Sequence, residues 1–164
     1  MIAVPARRSA DYGPFLALAL RLGLGAYFAW SGWVKVFQTG LDDFTRAVGN
    51  YKIVVSPWDA VVAYTIPWVE MAVGFCLIVG LWKRGALWAL AGLVGFFAFG
   101  VGQAWARNLD IACGCLGDPD GAPMNYTWKF IEFGGYWLAI ALIWLLGRKG
   151  TGHVFGGKRL KLPG

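Results

Sequence analysis

Charge is scarce in this sequence. Of 164 residues only 15% are charged, and the nine acids are outnumbered by fifteen Lys and Arg. Soluble domains carry about 25% charged residues, so the composition moves away from that class. Histidine is nearly absent: the one copy, His153, stands in the C-terminal tail. The net charge of +6 is not gathered into a basic stripe on a soluble fold, which argues against nucleic acid as a partner. No internal repeat is visible, which argues against the transporter architectures built from repeated halves. Although Arg7 and Arg8 precede the first apolar run, that run is too long for a signal peptide, contains Arg21, and shows no A-x-A cleavage site before the next polar loop.

What fills the chain instead is apolar and aromatic. Hydrophobic residues make up 58% of the sequence, the mean hydropathy is +0.55, and there are ten Trp, six Tyr and eleven Phe. Aromatic side chains gather at lipid headgroups. The 24 glycines fall largely within apolar runs, which fits close helix packing in lipid; Gly23, Gly25, Gly92, Gly95, Gly134 and Gly135 would permit close helix approach, or else leave space for a flat ligand.

Four runs are long enough to cross a hydrocarbon core, which takes about 20 residues. They cover residues 14–36, 58–82, 85–106 and 126–146, followed by a basic tail over 147–164. Lipid offers the backbone no hydrogen-bond partners, so each run must be a helix. The expected fold is an all-α membrane protein, an antiparallel four-helix bundle forming a single domain over residues 1–164. Arg7 and Arg8, then Lys83 and Arg84, then Arg148, Lys149, Lys158, Arg159 and Lys161 all fall on one side of such a bundle. By the positive-inside rule that side, with both termini, is cytoplasmic. In a bacterium this means a multi-pass inner-membrane protein whose two other loops face the periplasm. In the first of these loops Leu41, Phe44, Val48 and Tyr51 recur at helical spacing. Asp42 and Asp43 would fall in the first turn, where the dipole favours anions. This reads either as a short interfacial helix across the mouth of the bundle or as a plain connector.

The second outer loop holds "ACGCLG", with Cys113 and Cys115 on either side of Gly114. An oxidising compartment lets disulfides persist. A bond between residues two apart closes almost no loop and so makes a poor staple. So small a ring would be strained, and strained, exposed disulfides are the labile or catalytic kind. Gly114 supplies the backbone freedom such a ring needs. Arg107, with Lys35 and Lys129 at the outer ends of their spans, would favour a thiolate, while Asp110 and Asp118 would oppose it. Two other uses stay open for this pair: capture of copper(I) or zinc by thiolates, although no His is near, and a pair of inert thiols. Cys76, deep in the second span, reads as a packing residue.

Ionisable groups also lie inside the spans. Glu70 follows Pro67 near the middle of the second span, Glu132 is two turns into the fourth, and Arg21 is two turns into the first. Such groups are costly in lipid and face the bundle interior with a partner or a function. The expected pairs are Arg21 with Glu70, and Glu132 with Lys35 or with its i−3 neighbour Lys129. The functional alternative is a proton path or a polar contact to a quinone headgroup, with Pro67 freeing a backbone carbonyl to help build the pocket.

Taken together, "RLGLGAYFAWSGWVKV" in the first span, Phe44, Val48, Asn50 and Tyr51 in the outer helix, Pro67, Glu70 and Gly74 in the second span, and "CGCLG" ending at Gly117 give the chain a resemblance to the MauE/DoxX-like family of redox-associated membrane proteins. The resemblance spans nearly the whole chain, and Leu116 stands where the family's CGCFG has Phe. It implies a thiol–disulfide role in the periplasm, since MauE is implicated in maturing a disulfide-rich dehydrogenase subunit and DoxX-type relatives are linked to thiosulfate:quinone chemistry and thiol balance. On that reading Cys113 and Cys115 exchange a disulfide with a client or a thioredoxin-like partner. Gly114, Gly117 and Arg107 support them. A quinone would be held near Glu70, Glu132, Pro67, Lys35 and Lys129, and no metal is expected. The alternatives are an assembly or anchoring subunit of a larger membrane complex and a copper- or zinc-handling protein.

Overall fold

In the computed structural model, residues 12–54, 56–112 and 123–149 are described. Helix α1 spans Gly13–Trp33 and runs on without a break as a π-helical stretch over Val34–Thr39. A short helix, α2 (Leu41–Asn50), precedes three long ones: α3 (Trp58–Val79), α4 (Lys83–Ala106) and α5 (Tyr126–Lys149). Four of these helices are long and apolar enough to span a bilayer: Gly13–Thr39, Trp58–Val79, Lys83–Ala106 and Tyr126–Gly147. The protein is an all-α, multi-pass membrane protein, and the described residues contain no strand. Lipid-facing surface explains why Trp30, Phe75, Trp88, Trp128 and Leu138 are exposed outside a bilayer.

Two boundaries differ from the sequence reading for local reasons. The first span runs on to Thr39 because nothing in "VKVFQT" stops a helix before Gly40. The second ends at Val79, not residue 82, because Gly80 takes a left-handed conformation (φ 81°) and its N–H closes the last turn onto the Cys76 carbonyl.

The long helices pack in a ring, α1 on α3, α3 on α4, α4 on α5 and α5 on α1. Contacts between named residues give the direction of three of these pairs, and those three fix the direction of α3 against α4. Along α1, Gly25 meets Gly74 and Ile78, while Gly32 meets Pro67 and Met71. Gly13 meets Leu146, and Phe28 meets Tyr136 edge-on. On α4 and α5, Gly95 faces Trp137 and Trp105 faces Phe130. Every pair runs antiparallel. The α1–α3 contact is the tightest: a β-carbon on Gly32 would sit 2.5 Å from the Pro67 carbonyl oxygen, and one on Gly74 would sit 2.6 Å from the Gly25 carbonyl oxygen. Only glycine lets the two backbones come this close. Of the glycines expected to pack, Gly25 does this work, whereas a β-carbon on Gly23, Gly92, Gly134 or Gly135 would meet nothing of another helix within 4 Å.

Helix α2 caps the end of the bundle at which α1 finishes and α3 begins. Phe44 and Ala47 are buried against Ala63 and Ile66 of α3, with Val48 at their edge. The expected stripe is thus present, with Ala47 added to it. Asp42 and Asp43 occupy the first turn as expected. Asp42 accepts a hydrogen bond from the Tyr64 hydroxyl, and Asp43 pairs with Arg46.

A buried polar centre and the base of the cysteine loop as candidate functional site

Lys35 enters the bundle from the π-helical stretch of α1, and Glu70 enters from α3 three residues after Pro67. The Lys35 ammonium donates to both Glu70 carboxylate oxygens, at 2.6 and 2.7 Å, and to the Ser31 hydroxyl at 3.1 Å. Both side chains are 1% exposed. The aromatic faces of Phe44 from α2 and Phe97 from α4 lie 5.3 and 5.1 Å from the ammonium. A cation over such faces is attracted by the ring quadrupole. All three ammonium protons are therefore used, and aromatic rings cover what remains. The π-helical stretch carrying Lys35 is the kind of local irregularity that often marks a functional position.

This corrects the expected pairing of Arg21 with Glu70. Arg21 lies beside Gly80 at the far end of α3. Ten residues of helix separate Gly80 from Glu70, about 15 Å at 1.5 Å per residue. A side chain in a helix leans toward the N-terminus, which brings Lys35 back along α1 to the level of Glu70.

Glu132 keeps the other predicted partner. Lys129, one turn earlier on α5, donates to it at 2.7 Å, and the Tyr136 hydroxyl, one turn later, donates at 2.5 Å. Tyr27 of α1 packs its ring against Tyr136, with centroids 5.7 Å apart. The pair is partly open, Lys129 being 19% and Glu132 25% exposed.

The two clusters face one small cavity. Ser31, Lys35 and Glu70 line one side, Tyr27, Glu132 and Tyr136 the other, with Phe28 and Phe97 between them. Its volume of about 20 Å³ is the scale of a single water, and its walls carry enough polar atoms to hold one. Ser31, Tyr27 and Tyr136 were missed in the sequence, although Ser31 stands four residues before Lys35 and Tyr136 four after Glu132, the spacing at which helical side chains meet. Pro67 and Lys129 stand outside the lining: Pro67 is buried against Gly32, and Lys129 reaches the cavity only through Glu132. A larger cavity, about 70 Å³, opens between α2 and α4 and is almost wholly apolar, walled by Phe44, Val48, Tyr51, Ile66, Phe97 and Val101 among others. Phe44 and Phe97 divide it from the Lys35–Glu70 pair. Burial pushes the Tyr51 hydroxyl up to about 12, so that it stays protonated across the physiological range.

Cys113, Gly114, Cys115 and Gly117 lie outside the described residues. The chain on either side of them is described and held. Past α4, the Leu109 N–H bonds the Ala104 carbonyl, and the Met124 N–H bonds the Ile111 carbonyl at 3.0 Å. The Tyr126 hydroxyl donates to the Leu109 carbonyl. Arg107 donates to the carbonyls of Tyr51 and Lys52 at 3.2 and 3.1 Å, tying the loop's entry to the end of α2. Its guanidinium therefore serves as a clamp between the two loops. Cys76 packs at the edge of the main core. Among the described residues no three His, Cys, Asp or Glu side chains converge as metal ligands.

No curated protein and no solved structure matches the chain. The family described as methylamine utilisation protein MauE matches residues 13–147, from the first turn of α1 to the end of the fourth span. With that match over most of its length, on a fold of four spanning helices, the chain belongs to the MauE family.

Proposed function

We propose that this protein is a thiol–disulfide redox protein of the bacterial inner membrane, with Cys113 and Cys115 facing the periplasm and acting on a disulfide-rich client or a thioredoxin-like partner. The observation that carries the reading is the C-x-C pair in the single long loop between α4 and α5 of a MauE-family chain. The clamp of Arg107 and the Ile111–Met124 bond supports it, because a redox loop works best from a fixed base. In the reaction, the Cys113–Cys115 disulfide and a client dithiol exchange to give a client disulfide and two protein thiols, through a mixed-disulfide intermediate. A membrane quinone bound nearby would supply the two-electron, two-proton acceptor that returns the two thiols to the disulfide. The apolar groove between α2 and α4 is the wider of the two cavities described, and its open side, walled by Phe44, Tyr51 and Phe97, is where the ring of such a carrier would approach. Phe97 is shared by the walls of this groove and of the small polar cavity, so Glu70 and Glu132 on its other side are the carboxylates closest to such a carrier.

Alkylation trapping of the purified chain tests the central step. Cys113 and Cys115 should cycle between alkylated and protected forms as dithiol and oxidant are added, and Cys113→Ser or Cys115→Ser should abolish client oxidation. Full client oxidation by the double serine variant, with a stable partner co-purifying, would instead make the protein an assembly subunit. The carrier is tested separately: a delipidated sample given dithiol should reduce added quinone, and its failure to bind or reduce quinone removes the carrier alone.

A further inference from the structure

Arg21 sits eight residues inside a 27-residue apolar span, on the side of α1 that meets α3. Its expected carboxylate is taken by Lys35. Its Nε is buried with no acceptor, and among the described residues the guanidinium makes no hydrogen bond or ion pair. The head group rests on the turn between α3 and α4: a β-carbon on Gly80 would lie 3.2 and 3.4 Å from its two terminal nitrogens. Glycine at position 80 therefore leaves the room that the guanidinium occupies. The partial negative charge at the C-terminus of α3 offsets part of the cation's cost, but it leaves a planar fork of N–H donors unfilled.

The surroundings define what would fill it. Lys83 and Arg84 follow within four residues of Gly80, both exposed, in the first turn of α4. The first turn of α4 has no acidic residue and no side-chain cap. No Asp or Glu occurs in residues 12–22, 78–88 or 140–147, the described segments at this end of the bundle. Three cations thus gather around one turn without a counter-charge among the described residues. Flanking them is apolar surface, with Leu18, Leu22, Ile78 and Leu81 exposed. A guanidinium fork matches a phosphate bidentately, and basic side chains between helices near the bilayer surface hold anionic lipid heads.

We propose that this turn is a binding site for the phosphodiester headgroup of an anionic phospholipid, with Arg21 as its bidentate ligand, Lys83 and Arg84 as supporting charges, and the acyl chains lying along the apolar surface beside them. The site is independent of the redox reading, being at the opposite end of α4 from the cysteine loop.

Native mass spectrometry of the full chain in neutral detergent, with phosphatidylglycerol and phosphatidylcholine supplied at equal concentration, tests it. The wild-type chain should carry the anionic lipid in preference by about fivefold or more. Arg21→Gln should bring that preference down to near parity. The Lys83→Gln/Arg84→Gln double variant, altered only at exposed positions, should lower it by about twofold to fivefold. Equal binding of both lipids by the wild type, or an undiminished preference in a folded Arg21→Gln protein, overturns the site. If Arg21→Gln does not fold, the double variant decides, and an unchanged preference there overturns it. Inorganic phosphate at millimolar concentration is the remaining arm: displacement of the lipid by free phosphate would make a soluble anion the ligand and overturn the lipid assignment.

Discussion

The ammonium of Lys35 and the carboxylate of Glu70 meet through two hydrogen bonds, from helices that do not follow one another in the chain, at a point where both are 1% exposed. Removing one partner strands the other as an uncompensated buried charge, which costs about 3–5 kcal/mol. Replacing both with apolar side chains of similar volume leaves no such charge. Lys35→Met alone and Glu70→Leu alone should therefore each destabilise strongly, while the double variant recovers most of the loss. Thermal unfolding of the four proteins in one detergent measures this. Additive losses in the double variant would mean the pair is not coupled.

Lys129 and Glu132 provide the contrast. They are neighbours on one helix, partly open, and Glu132 retains the Tyr136 hydroxyl if the lysine is lost. Lys129→Met should cost less than about 1 kcal/mol. A loss as large as that of Lys35→Met would show this pair to be far better shielded than its exposure implies.

The α1–α3 seam predicts which glycines matter. Gly32→Ala and Gly74→Ala put a β-carbon into backbone atoms 2.5–2.6 Å away, and neither helix can yield without shifting the other. Losses of about 1–3 kcal/mol are expected. Gly92→Ala and Gly134→Ala meet nothing within 4 Å and should be neutral or slightly stabilising, since alanine favours the helix. Melting temperatures of the four variants settle the ranking.

Tyr51 sets a pH dependence. In the unfolded chain its hydroxyl ionises near 10, and burial raises this to about 12 in the fold. Between those values the unfolded chain releases the proton first, so the stabilising contribution of neutral Tyr51 is complete below pH 10 and drains away as pH rises toward 12. The gap in melting temperature between the wild type and Tyr51→Phe should hold constant up to about pH 10 and then move in favour of the phenylalanine variant.

Arg107 joins two loops that are 55 residues apart. Arg107→Ala should free the Tyr51 and Lys52 carbonyls and speed amide hydrogen exchange at Leu109 and Met124, whose bonds form the loop's base. Exchange unchanged at both amides would mean that Arg107 has no part in holding that base.

Much of the architecture is legible from composition because lipid permits so few solutions. The four spans, the short helix with Asp42 and Asp43 in its first turn, and the Lys129–Glu132 pair all follow from local spacing. The partner of Glu70 does not. It depends on the register of α1 against α3, which is set by Gly25, Gly32 and Gly74. A sequence with 24 glycines does not announce which of them touch another helix. The covering of Lys35 by Phe44 and Phe97 escaped for the same reason: it joins three elements that are remote in sequence. The cysteine pair was read from its motif, and the structure adds to it only the geometry of the chain at its base.

The spacing of Arg21 and Lys35 along α1 also bears on the membrane around the protein. Fourteen residues of helix separate them, an uncharged height of about 21 Å at 1.5 Å per residue. A typical hydrocarbon core is about 30 Å thick. Lys35 is neutralised inside the bundle, so the charge on α1 that the bilayer has to accommodate is Arg21, and a thinner bilayer brings the headgroups closer to its guanidinium. A chain built this way should be more stable in bilayers of shorter acyl chains.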